Sequence, residues 1–312
     1  MMKSPLIIGL LMSMLTLSLV ACDDDDDMKT PNSEKTVFQI AADDSQFSTL
    51  VDALRRVNLD EVLNGDGPFT VFAPTNAAFT ALGVNLSTLS DDQLSAILLY
   101  HVFVGAGLKA SDIQNGQTYI GTASNTGPNN SSLSALIEKT STGVSLNGSI
   151  KVTQTDIIGK NGVIHVIDAV LQPLDLVGHA QANANFSTLV GALGTATGGL
   201  VDVLSATGPF TVFAPVNQAF TAISATVATL TPAQLASVLT YHVVAGNVRS
   251  SNLSNGQVVT TVQGETFTVN IQGNSVSITD AQNNRVNVLL TDVQATNGVI
   301  HVLDKVLLPE NL

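Results

Sequence analysis

Two histidines, His101 and His242, stand 141 residues apart, each directly after a tyrosine, Tyr100 and Tyr241. An imidazole can act as a general base, a metal ligand or a pH switch. As a base it would need a serine or cysteine nucleophile and an orienting acid. Serines are plentiful, yet no nucleophile-elbow motif occurs and no two carboxylates share a fixed motif. As a ligand it would need partners, and no second histidine stands at metal spacing. His165 and His301 lie in Val-Ile-His-Val runs, where a period of two puts each imidazole on the strand face opposite its neighbours. Asp168 and Asp304 recur at strand ends, where an aspartate caps a turn. Gly194 to Gly199 is glycine-rich but lacks the lysine of a phosphate-binding loop. The expectation is a chain with no catalytic residue, no metal and no cofactor.

The elements that must position these residues come as two copies. Gly67 to Phe79 recurs as Gly208 to Phe220, with eleven of thirteen positions identical. Tyr100-His101-Val102 recurs as Tyr241-His242-Val243, and Asn161 to Asp168 as Asn297 to Asp304. Phe47 to Val51 recurs as Phe186 to Val190, so the order of blocks is the same in both halves. A unit of this size is a duplicated domain, too long for a solenoid repeat. The boundary falls near Pro173 with little linker, so the two domains should abut.

Within a unit, Phe69, Val71 and Ala73 alternate with Thr70 and Phe72 as in a strand. Ser90-Asp91-Asp92-Gln93 reads as a capping box. Leu94, Ile97, Leu98 and His101 then follow on one helical face. Thr231, Pro232 and Gln234 repeat the device before Leu235, Val238, Leu239 and His242. A neutral imidazole on such a face serves the fold when both nitrogens are paired. Strand-like runs with Asn-Gly turns at Asn115, Asn161, Asn255 and Asn297 fill the rest of each unit. The fold class is α+β. The segment from Thr122 to Ser134 makes the first unit longer, as a neutral extension or a recognition loop.

Composition narrows the partners. The net charge is −13, and no basic stripe could hold phosphates, so nucleic acid is excluded. Charged residues make up only 12% of the chain, leaving Ser, Thr, Asn, Gln and Gly to cover its surface. Trp is absent and Tyr occurs three times, which supplies stacking platforms for sugars poorly. The one cysteine, Cys22, rules out an internal disulfide.

Cys22 marks an address. Lys3 precedes an apolar run from Leu6 to Val20, short for a membrane span and suited to a signal peptide. Leu19-Val20-Ala21-Cys22 resembles the lipobox of exported bacterial lipoproteins. Residues 1–21 are then a signal peptide, Cys22 the lipid attachment point, and residues 22–35 an acidic tether that includes Asp23 to Asp27. The expected location is the cell envelope, on the outer membrane, in either the periplasmic or the surface-exposed leaflet.

The repeated blocks resemble the fasciclin domain. Its first signature is matched by Phe69 to Phe79 and Phe210 to Phe220, its Tyr-His pair by the two pairs above, and its second signature by Gly162 to Pro173 and Gly298 to Pro309. The resemblance covers two units, residues 36–173 and 174–312. It implies a β-sandwich or wedge flanked by helices in each, and a role in adhesion or matrix contact. Animal members engage receptors through an Asp-Ile dipeptide and the Tyr-His region. The matching positions are Asp156-Ile157, Asp292-Val293, Tyr100-His101 and Tyr241-His242. The implied partners are a cell-surface or matrix protein or glycan, with the membrane reached through the N-terminal lipid. A small-ligand or glycan-binding lipoprotein of the envelope is the alternative.

The lipid assignment predicts that Cys22→Ser releases the protein from the membrane fraction and abolishes labelling by a fatty-acid analogue. Labelling that persists in the variant would show the assignment to be wrong.

Overall fold

The computed structural model describes residues 34–312; the expected signal peptide, Cys22 and the aspartate run lie outside them. The described residues form one compact unit that contains both halves.

The first half opens with three short helices, α1 (Val37–Asp43), α2 (Ser48–Arg56) and α3 (Leu59–Asn64). Strand β1 (Phe69–Pro74) and helices α4 (Asn76–Leu82) and α5 (Asp91–Tyr100) follow. Six strands complete it: β2 (Val102–Val104), β3 (Gly116–Gly121), β4 (Ser134–Thr140), β5 (Gly143–Leu146), β6 (Ile150–Gly159) and β7 (Gly162–Ile167). The second half repeats the plan with α6 (Leu176–Ala182), α7 (Ser187–Thr195), α8 (Leu200–Ser205), β8 (Phe210–Pro215), α9 (Asn217–Ala222), α10 (Ser224–Val227) and α11 (Pro232–Tyr241). Its remaining strands are β9 (Val243–Ala245), β10 (Val258–Thr260), β11 (Thr266–Gln272), β12 (Ser275–Thr279), β13 (Arg285–Ala295) and β14 (Gly298–Leu303).

Both capping boxes form. Ser90 accepts from the Gln93 N–H while the Gln93 side chain accepts from Ser90, and Thr231 with Gln234 does the same. Each such cap contributes about 1 kcal/mol.

Each half carries one seven-stranded sheet, in the order β2-β1-β7-β6-β5-β4-β3 and its equivalent β9-β8-β14-β13-β12-β11-β10. Only β1–β7 and β8–β14 pair in parallel. The sheet curls until its ends nearly meet: Ala123, just past β3, donates its N–H to the Val102 carbonyl of β2 at 2.7 Å. Val262 and Val243 close the second sheet at the same distance. One face of each wedge packs against the helices, with Phe47, Leu50, Leu94 and Ile164 central in the first half. A second apolar cluster fills the inside of each curl, around Phe72 and Tyr100 or Phe213 and Tyr241.

The Asn161-Gly162 and Asn297-Gly298 pairs do more than turn the chain. The hairpin turn is Lys160-Asn161, and Gly162 is already in β7, paired with Gly159. A Cβ on Gly162 would fall 2.3 Å from the Phe69 carbonyl oxygen, and one on Gly298 2.1 Å from that of Phe210, so only glycine lets the parallel pair approach. Asn161 joins three segments: its Oδ1 accepts from Val37 N–H at 2.9 Å, and its Nδ2 donates to the carbonyls of Leu63 (2.9 Å) and Gly65 (2.7 Å). Asn297 makes the same three bonds with Leu176, Leu204 and Ala206. Both asparagines are buried.

Asn161→Ala strands one N–H and two carbonyls. The expected cost is about 3 kcal/mol, measured from the denaturant midpoint. Asn161→Asp restores the acceptor but not the donors, so it should remain destabilised; a wild-type midpoint in either variant would refute the staple.

Candidate functional site

The Tyr-His pairs occupy the last turn of α5 and α11, and both residues of each pair point inward. His101 Nδ1 faces the Ile97 carbonyl at 2.8 Å, and its Nε2 accepts the Leu171 N–H at 2.8 Å. These partners fix the neutral Nδ1–H tautomer. His242 does the same between Val238 and Leu307, at 2.8 Å on each side. Each imidazole therefore ties a helix end to the chain that leaves β7 or β14. Tyr100 donates its hydroxyl to the Ser134 carbonyl at 2.8 Å and accepts from Asn147 Nδ2; Tyr241 donates to Thr266 at 2.8 Å and accepts from the Ala281 N–H. Burial pushes both phenols up to about 12 and holds both histidines down at about 4. A partner could reach these four side chains only by opening the fold.

His165 and His301 lie in the central strands β7 and β14, which are covered on both faces. Their rings sit over Phe72 and Phe213, with centroids 5.5 and 5.2 Å apart. Each Nε2 faces a loop carbonyl, Leu108 at 2.8 Å or Val248 at 2.9 Å. Each Nδ1 accepts the N–H of the signature aspartate, Asp156 or Asp292, at 3.3 Å. Burial lowers the pKa of both.

Those aspartates stand where β6 and β13 slip register against their neighbours. Their φ angles are 63° and 64°, left-handed values that aspartate tolerates better than most residues. The histidine bond and the aspartate's own bonds hold this corner. Asp156 Oδ1 accepts from Ala110 N–H at 2.8 Å, and no hydrogen bond reaches its other oxygen among the described residues. In the second half Ser250 replaces Ala110; its N–H binds Asp292 Oδ1 at 2.8 Å and its hydroxyl binds Oδ2. Ile157 is half-buried against the first core, whereas Val293 is fully inside the second. The two corners share a backbone and are equally half-buried, but only in the second are both carboxylate oxygens hydrogen-bonded.

Asp168 and Asp304 do not cap local turns. They accept the N–H of Lys151 (2.8 Å) and of Asn287 (2.7 Å), seventeen residues earlier, and so pin the start of β6 and β13. Among the described residues no group of three or more His, Cys, Asp or Glu is placed to hold a metal. The apolar hollow in the second helical core measures about 30 Å³, room for one water and far below a small-ligand pocket. No described helix is long and apolar enough to cross a membrane.

The residues that sequence reasoning missed join the two halves. Tyr119 of β3 packs into the second helical core, 5.7 Å from the ring of His179, and accepts from Asn183 Nδ2 at 3.0 Å. Ser134 Oγ accepts the Gln294 N–H at 2.9 Å, and Gln117 Oε1 accepts from Asn185 Nδ2 at 2.7 Å. The Thr122 to Ser134 segment lies at this junction, its Pro128 carbonyl meeting Asn247 Nδ2 at 3.5 Å. One signal was available: these residues differ between the copies, Gln294 standing where the first has Ile158.

A family model and several known proteins match this chain. The model of the family described as "Fasciclin domain" matches residues 45–173 and 184–309. Protein sll1483 of Synechocystis is 43% identical over 141 residues, covering 44% of this chain and 74% of that protein. The pig transforming growth factor-beta-induced protein ig-h3 is 28% identical across 91% of this chain, and human periostin 27% across 81%. The chain spans only 39% and 30% of those two relatives. A solved domain pair from the insect cell adhesion molecule fasciclin I aligns with a TM-score of 0.49 at 21% identity, covering 83% of this chain and 93% of that one.

The depressed histidines predict a pH dependence. Between about pH 6.5 and about 4 the unfolded chain takes up protons that the folded chain refuses. Stability should be full above pH 6.5 and fall by a few kcal/mol per buried histidine as the pH drops toward 4. His242→Ala should lower the melting temperature at pH 7 and flatten this slope. Wild-type stability in the variant, together with lost surface binding, would instead make the Tyr-His pair a contact.

Proposed function

The chain belongs to the fasciclin-domain family, and from that premise we propose that it is a non-enzymatic adhesion protein of the cell envelope. A lipid on Cys22 holds it to the outer membrane, and its domains engage a cell-surface or matrix protein or glycan. The observation that carries the reading is the Asp156 corner. It presents a half-buried aspartate on a rigid bulge, with one carboxylate oxygen free of internal bonds among the described residues. A rigid backbone holding an open acceptor suits protein contact, because little conformational freedom is lost on binding. The histidines do not offer a competing catalytic site, since their ring nitrogens at positions 101, 165, 242 and 301 are spent on backbone groups. Anchoring many copies on one surface would raise avidity by roughly 10²–10⁴ for individually weak contacts.

Aggregation of coated beads, or their binding to cells, tests this with the whole protein. Asp156→Asn, which keeps the acceptor for the Ala110 N–H and tolerates the left-handed backbone but replaces the open oxygen with an amide nitrogen, should reduce binding several-fold with little change in melting temperature. Asp292→Ala should leave binding intact and lower the melting temperature, because it releases Ser250. Equal binding by wild type and Asp156→Asn would remove the corner from the contact surface. Saturable binding of a soluble small molecule, with no adhesion, would move the protein to the ligand-binding class.

A further inference from the structure

The junction between the two halves is heterologous: one end of the first domain, its tail, meets the opposite end of the second, its head. Both domains share one fold, so each also has the other surface, and hydrogen bonds identify the equivalents. Tyr100 and Tyr241 donate to the carbonyls of Ser134 and Thr266, which makes Thr266 the counterpart of Ser134. Ser134 pairs with Gly121 and Thr266 with Thr260, so Tyr119 and Val258, each two residues earlier, correspond. On the head, Val37 and Leu176 both donate to the buried asparagine. Ile40 is thus the counterpart of His179 and Asp44 of Asn183; Ile158, three before Asn161, is that of Gln294.

We propose that the free tail of the second domain docks on the free head of the first domain of a second copy, repeating the internal junction between chains. Three observations carry this. The socket that Tyr119 fills in the second domain is present and open in the first, as a concavity of about 440 Å³ lined by Ile40, Asp44, Phe47 and Ile157. The residue that would enter it is apolar where a surface facing only water would be polar: Val258 is 62% exposed. On the head, Ile158 is 38% exposed, whereas Gln294, its covered counterpart, is 2% exposed.

The chemistry matches position by position. Tyr119 brings a hydroxyl, and its socket supplies the Asn183 donor. Val258 brings none, and its socket carries Asp44, whose two oxygens are already held by the backbone N–H and side-chain amide of Gln46, at 3.0 and 2.6 Å. Thr266 keeps the hydroxyl with which Ser134 accepts a head N–H, and it is exposed. The second domain lacks the long segment that carries Pro128, so the contact between chains is weaker than the one within. A heterologous contact that does not close on itself builds an open chain. Self-assembly of this kind uses residues other than the Asp156 carboxylate, so foreign-surface binding and self-assembly are read separately.

Sedimentation velocity of the purified protein over a concentration series is the first test. Elongated dimers and longer species should appear as concentration rises. Val258→Asp and Ile158→Glu, both at exposed positions, should each weaken association by roughly tenfold or more while keeping the wild-type melting temperature. In a Cys22→Ser background, a mixture of Val258→Cys and Asp44→Cys proteins should be joined into a mixed dimer by a short bis-maleimide crosslinker, since the equivalent contact spans a tyrosine side chain. A protein that stays monomeric at the highest soluble concentration would overturn the proposal. So would association unaffected by both charged variants, or crosslinks formed mainly between two copies of Val258→Cys. Bead binding that survives while assembly fails would remove this inference alone; assembly without foreign binding would remove only the foreign partner.

Discussion

Each domain depends on one strand pair, the parallel pairing of β1 with β7 and of β8 with β14. Every other pairing in the two sheets is antiparallel. A parallel pair at the centre of a curled sheet must be reached by a long crossover, and here the crossover is nearly the whole domain. The chain holds it with a glycine at the point of closest approach, a buried asparagine that grips two helices beside it, and two histidines that bond to loops at its far side. These devices use neutral hydrogen-bonding groups rather than ion pairs. That suits a chain with few charges, because neutral groups can be buried fully once their bonds are made.

How far the sequence could be read follows from the range of each interaction. The capping boxes at Ser90 and Thr231 depend on residues three apart, and both were legible. The alternation in Phe69 to Ala73 identified a strand, although β1 turned out buried on both faces because it lies inside the sheet. Asn161-Gly162 was legible only as a turn. Its larger role requires Val37 and Leu63, about a hundred residues away, and no local pattern encodes that. Asp168 was misread for the same reason: its partner, Lys151, lies across a hairpin. The family resemblance supplied the wedge that periodicity alone left as mixed helix and strand.

The two copies diverge where their surroundings diverge. In the cores they keep the same residues or close equivalents, because the packing problem is the same. At the junction Ile158 becomes Gln294, Ile40 becomes His179 and Tyr119 becomes Val258, since one member of each pair meets the other domain and one does not. Comparing copies within one chain thus separates positions that serve the fold from positions that serve a neighbour. Asp156 and Asp292 illustrate the middle case. Their backbone is shared and strained alike, but Ser250 occupies one carboxylate that Ala110 leaves half open.

The same logic bears on what kind of function the scaffold can support. Acid–base chemistry needs a titratable group that meets both substrate and water, with a pKa near the working pH. The five histidines are all buried with depressed pKa values. Four of them trade their proton-transfer capacity for hydrogen bonds to backbone groups, and the fifth, His179, sits beneath Tyr119 at the domain junction. What remains at the surface is hydroxyl, amide and carboxylate on strands and bulges, a few lysines and arginines such as Arg56 and Lys151, and a few uncovered valines and leucines. Such a surface recognises by shape and by fixed hydrogen bonds. Affinity on such a surface comes from area and from the number of copies that act together, which two fused domains already begin to supply.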